Sequence, residues 1–145
     1  MRTLARNILA VVLGFLIGGF VNMALVTAGP KVFAPPAGTD MTTAAGIAAA
    51  IPLLEPQHFL FPFLAHAANA FVGALVAYLF AVTRRELLAW IIGGLTLCGG
   101  IAASVMIPAP AWFKAVDLLL AYLPMTWLAI QLGKRIASGS PAPTP

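Results

Sequence analysis

The sequence predicts an all-α fold: a bundle of four transmembrane helices, both termini cytoplasmic, with a short outer-face interfacial helix between helices 1 and 2. Three observations predict it. The chain of 145 residues is 61% hydrophobic and carries eight basic and four acidic residues, 8% charged, where a soluble domain has about 25%. Four apolar runs of membrane-spanning length are separated by the few charges. The cations themselves are distributed unevenly along the alternating turns, as the positive-inside rule requires. So few charges cannot solvate a globular surface, which excludes a soluble enzyme and a nucleic-acid-binding domain.

The first span covers about residues 8–28, uncharged between Arg6 and Lys31, and each span approaches the roughly 20 residues that cross a hydrocarbon core. Arg2 and Arg6 followed by Val26-Thr27-Ala28 also fit a cleaved signal peptide. The apolar run is longer than the 7–15 residues usual for one, and Gly14, Gly18 and Asn22 at spacing four suit helix packing. The second span covers about 59–82, ending at Arg84-Arg85-Glu86, the third about 87–107, and the fourth about 112–134, ending at Lys134-Arg135. Strands would need period-two alternation, and none is present. Arg2, Arg6, Arg84, Arg85, Lys134 and Arg135 fall at one end of such a bundle, Lys31 and Lys114 at the other. Both termini are therefore expected inside, in a single domain of residues 1–137, with a disordered Ser/Pro-rich tail over 138–145.

Between the first two spans, Pro35-Pro36 forces extended chain. Asp40 and Thr42-Thr43 then precede an alanine-rich run stopped by Pro52, the signature of a short helix over about 42–51. It is too short to span and is expected at the outer interface or over the bundle mouth. Thr83–Glu86 reads as a tight turn. Trp90, Trp112 and Phe113 read as interfacial aromatics. Small-residue stripes are expected to pack the helices: Gly14, Gly18 and Asn22; Ala65, Asn69, Gly73 and Ala77; Thr96, Gly100 and Ser104.

Polar residues inside the membrane are costly and mark candidate sites. His66, Asn69, Asn22, Asp117, Glu55 and His58 are all expected in the outer half of the bundle, a candidate polar cluster roofed by the Ala44–Ile51 segment. Plainer roles compete with that reading. Asn22 and Asn69 could bond across helices, Lys114 and Asp117 could pair at i,i+3, and Glu55 before Pro56 could start a helix. His66 could satisfy the His58 carbonyl that Pro62 frees. Glu55-x-x-His58 has the spacing of a di-iron helix, but the further glutamates such a site needs are missing. Haem between His58 or His66 and a methionine such as Met23 is a remoter option. Cys98 stands alone, so neither a disulfide nor a CxxC motif is available. No metal, cofactor or catalytic residue is expected.

Several blocks resemble a family of small, uncharacterised bacterial four-helix integral membrane proteins: Asp40-Met41-Thr42, Glu55-Pro56-Gln57-His58-Phe59, Phe61-Pro62-Phe63-Leu64-Ala65-His66-Ala67, Ile107-Pro108-Ala109-Pro110-Ala111-Trp112-Phe113 and Leu120-Ala121-Tyr122-Leu123-Pro124-Met125. The resemblance implies a multi-pass protein of the bacterial inner membrane and carries no activity. From size and scarce chemistry the expected role is a non-enzymatic packing or accessory component of a membrane assembly. Its partners would be the lipid bilayer and either other membrane subunits or further copies of itself, not nucleic acid. The alternative is a small-solute or ion binding or permeation protein using the outer polar cluster; a haem- or metal-bearing protein ranks third.

Overall fold

The computed structural model describes residues 1–138; the tail expected from Ser138 onward lies outside the described residues, Ser138 itself excepted. The described chain is helical and without strands, in six helices: α1 (Arg2–Val32), α2 (Ala44–Ala50), α3 (Leu60–Phe80), α4 (Arg85–Met106), α5 (Ala111–Leu120) and α6 (Leu123–Ser138). Short 3-10 turns at Ile51–Leu53 and Pro56–Phe59 join α2 to α3. Four helical stretches are long and apolar enough to cross a membrane: Arg2–Val32, Pro56–Phe80, Arg85–Met106 and Ala111–Ser138.

Two differences from the expected spans have physical causes. α1 runs from Arg2 to Val32, passing Pro30 in its last turn. Charges mark where hydrocarbon ends, not where a helix must. The fourth span is broken at Ala121-Tyr122 into α5 and α6. Pro124 has no amide hydrogen, and its ring crowds the carbonyl of Leu120, so the ladder cannot run through. It resumes when the Thr126 amide donates to the Tyr122 carbonyl at 2.9 Å.

α3 is the centre of the bundle: α1 packs on one side of it, α4 and α6 on the other. The α1–α3 seam depends on missing side chains. A Cβ on Gly14 would stand 2.5 Å from the Gly73 carbonyl oxygen, and one on Gly18 2.7 Å from that of Asn69. In lipid, where burial of oil against oil provides little drive, such close backbone approach is what holds helices together. On the other side Ala74, Ala77, Tyr78, Ala89, Ile92, Ala129 and Ile130 make a closed core. Gly133 leaves room there for the Tyr78 ring, and Gly93 for Thr126. Leu16, Phe20, Met23, Leu95, Ile101, Val105 and Leu119 point outward, an apolar exterior that hydrocarbon, not water, can solvate.

Two polar clamps tie one end of the bundle. From α1, Asn7 accepts the Val82 amide at 3.0 Å and donates to the Thr83 hydroxyl at 2.9 Å, locking the turn in which Arg84 adopts φ 52°. Glu86 of α4 pairs with Lys134 of α6 at 2.9 Å. The N-terminus, the α3–α4 turn and the C-terminal part of α6 thus share an end. Lys31 and Lys114 lie towards the opposite end, where the cavity is.

Candidate functional site

The end opposite the clamps opens into a cavity of about 480 Å³. The last turns of α1 and α4, the first turns of α3 and α5, and the segment from Met41 to Leu54 enclose it. Its walls are mostly hydrocarbon. Its polar lining comes from Thr27, His58, His66, Ser104, Lys114 and Asp117.

The rim is built by local sequence. Asp40 accepts from the Thr42 hydroxyl at 2.6 Å, the Thr43 hydroxyl at 2.7 Å and the Thr42 amide at 2.8 Å. These bonds, the Thr42 hydroxyl first, hold its carboxyl down at about 2. Thr43 caps α2 by accepting from the Gly46 amide at 3.0 Å, and Gly46 lies so close to Asp40 that no Cβ fits. α2 stops at Ala50, and Pro52 sits within the 3-10 turn that follows. At the start of the next span, His58 Nδ1 accepts the Glu55 amide at 3.1 Å, and Nε2 then donates to the Ala34 carbonyl at 3.1 Å. Glu55 itself accepts from Gln57 at 2.8 Å. Glu55 and His58 therefore fasten the rim to the chain leaving α1.

The floor is a three-residue network. His66 Nδ1–H donates to Asp117, 2.9 Å from Oδ1 and 3.0 Å from Oδ2, and the Tyr122 hydroxyl donates to Oδ2 at 2.9 Å. Asp117 is 5% exposed. The His66 ring also stacks on Tyr122, centroids 5.8 Å apart. Positions five apart on an unbroken helix point about 140° from each other, so Tyr122 could not return to Asp117 without the break before Pro124. Gly100 completes the geometry, because any Cβ there would overlap the Tyr122 phenol. Nothing in the sequence pattern singles out Tyr122; its signal is a hydroxyl between an intramembrane aspartate and a helix-breaking proline.

The six residues of the expected cluster thus fall into three groups. His66 and Asp117 bond directly. Glu55 and His58 form the rim, with His58 also lining the cavity. Asn69 lies in the α1–α3 seam against Gly18, and Asn22 is one turn further along the same α1 stripe. The Asn22 Oδ1 is buried without a partner, as is the Thr126 hydroxyl. Lys114 makes no ion pair with Asp117 among the described residues, and His66 serves Asp117 rather than the His58 carbonyl. Phe113 is buried in the cavity wall against Phe59; Trp112 is half-exposed beside it. Among the described residues no three of His, Cys, Asp and Glu stand together as metal ligands. Ser104 donates to the Ile101 carbonyl at 2.8 Å.

The arrangement can hold and orient a ligand. A carboxylate on Nδ1–H fixes the tautomer and tilt of the imidazole, leaving Nε2 as the nitrogen His66 can offer a guest. No family model, curated protein or solved structure matches the chain. Function is therefore read from the cavity itself.

Proposed function

We propose that the protein is a multi-pass membrane protein that binds a small molecule in the cavity floored by His66, Asp117 and Tyr122, as a binding or permeation protein and not as an enzyme. The observation that carries this reading is a buried, fully bonded carboxylate at the bottom of a largely apolar chamber. A few convergent polar groups in an apolar pocket of about 300–1,000 Å³ is the usual form of a ligand site, and an intramembrane carboxylate is too costly to keep as filler. Six cations at the clamped end against two at the other support cytoplasmic termini and an outward-facing cavity, with the α2 segment as its outer roof. The resemblance of the sequence blocks supports the bacterial inner membrane as the location. Ala103 lines the cavity, so Ala103→Trp fills it without touching the network. Native mass spectrometry after mild detergent extraction should find a small bound molecule on the wild type that Ala103→Trp lacks. Identical spectra from two equally stable proteins would overturn the proposal.

The packing or accessory role keeps one observation in its favour. Gly19 on α1 and Gly94 and Gly99 on α4 have nothing within 4 Å of where a Cβ would stand, and Cys98 beside them is exposed. These small outward positions would let a neighbouring helix approach closely, whether of another subunit or a second copy. The same spectra test this: a co-extracted larger subunit, or a homo-oligomer lost on Gly94→Leu, would support it.

A further inference from the structure

The polar groups of the cavity wall narrow what its occupant can be. Lys114 is one turn from Asp117 on α5, yet the ion pairs among the described residues are His66–Asp117 and Glu86–Lys134. Lys114 therefore brings a positive charge to the wall that no protein carboxylate compensates. α5 starts on Pro110 without a side-chain cap, and Ala109, Phe113 and Lys114 around that start line the cavity. The uncapped amides of its first turn add the positive end of the helix dipole. His66 Nδ1–H is committed to Asp117, while Nε2 has no partner among the described residues. Both Asp117 oxygens are already engaged by His66 and Tyr122. The wall offers donors and positive charge, and its one acidic acceptor is in use.

From this charge balance we infer that the cavity binds a monocarboxylate carried on an apolar body. The carboxylate sits against Lys114 at the start of α5, and the body against Val26, Ile47, Ile51, Phe59, Ile107 and Phe113. Asp117 is already bonded by His66 and Tyr122, so the guest meets the unpaired ammonium of Lys114. One charge suits a monoanion; a dianionic phosphate would leave charge stranded among hydrocarbon. An ammonium guest would face Lys114 with no open carboxylate. This inference rests on the cavity being a binding site. Two sources share the chemistry: a medium-chain fatty acid from the bilayer, and a compact aryl-substituted acid from solution.

The test titrates the protein in nanodiscs with decanoate, 3-phenylpropanoate, decanol and decylamine by calorimetry. Saturable one-site binding is expected for at least one acid and for neither uncharged nor cationic probe. Lys114→Gln should weaken it about tenfold or more, and Lys114→Arg should restore it. Decanoate alone binding identifies the bilayer source; 3-phenylpropanoate alone identifies the soluble one. Acid binding unchanged in Lys114→Gln, or decanol binding as tightly as decanoate, overturns the carboxylate assignment. If those titrations are abolished by Ala103→Trp, the cavity reading survives that failure. If neither acid binds and Ala103→Trp also removes no bound molecule from the extracted protein, both readings fall together.

Discussion

At the scale of single residues, the floor network makes a prediction about coupling. Asp117 accepts from two side chains in a buried site. Asp117→Leu strands the His66 and Tyr122 donors, each at about 1–3 kcal/mol. His66→Leu alone removes one donor from the carboxylate. The double variant removes both members of the pair, so it should cost clearly less than the sum of the two singles. SDS titration in mixed micelles measures this; strict additivity would mean that the two side chains do not act as a unit. Thr126 makes the opposite case. Its hydroxyl is buried without a partner, so Thr126→Val, nearly the same shape, should be neutral or stabilising. A loss above about 1 kcal/mol would reveal a bond to that hydroxyl. His66 and Asp117 were legible in the sequence as polar residues in the membrane, since cost alone marks them. Tyr122 was not, because a tyrosine in an apolar run is ordinary until the proline break turns it back on Asp117.

At the scale of elements, the α1–α3 seam and the Asp40 loop can be tested separately. Gly18→Leu meets the Asn69 backbone and side chain, which cannot yield as a flexible side chain could. It should destabilise the bundle by about 1–3 kcal/mol. Gly19→Leu, one position away with open space around it, should be mild. Equal thermal stability of the two would sink the seam. These glycine contacts were foreseeable from spacing four along two segments. The break between α5 and α6 is hidden in the sequence because the apolar run over 112–134 continues through Pro124, and hydropathy does not register a missing amide. The Asp40 loop adds a pH dependence with a defined sign. Its carboxyl is held down to about 2 against an ordinary 3.8, so ionised Asp40 favours the ordered loop. That contribution is fully present above about pH 4 and is lost as pH falls through about 2. Hydrogen exchange at the Thr42 and Gly46 amides should stay slow down to about pH 4 and accelerate progressively as pH falls from there through about 2, after correction for intrinsic rates. Acceleration already at pH 5 would contradict the three bonds to Asp40.

At the scale of the whole molecule, orientation decides what the cavity can reach. The structure brings Asn7 to the α3–α4 turn and Glu86 to Lys134, so Arg2, Arg6, Arg84, Arg85, Lys134 and Arg135 gather at one end. Short basic segments next to spans resist translocation. The six cations are therefore expected to stay inside, which leaves the cavity, with Lys31 and Lys114, facing out. This charge asymmetry is independent of any ligand, and cysteine labelling measures its consequence directly. In a Cys98→Ala background, a cysteine at Ala37 in the loop after α1 should react with a membrane-impermeant maleimide on intact cells. A cysteine at Ser140, past the last basic pair, should react only after permeabilisation. Reversal of the two patterns would turn the cavity towards the cytoplasm and its supply of soluble acids. Labelling of both positions from outside would mean an even number of crossings between them, and would remove one of the three later spans from the bilayer.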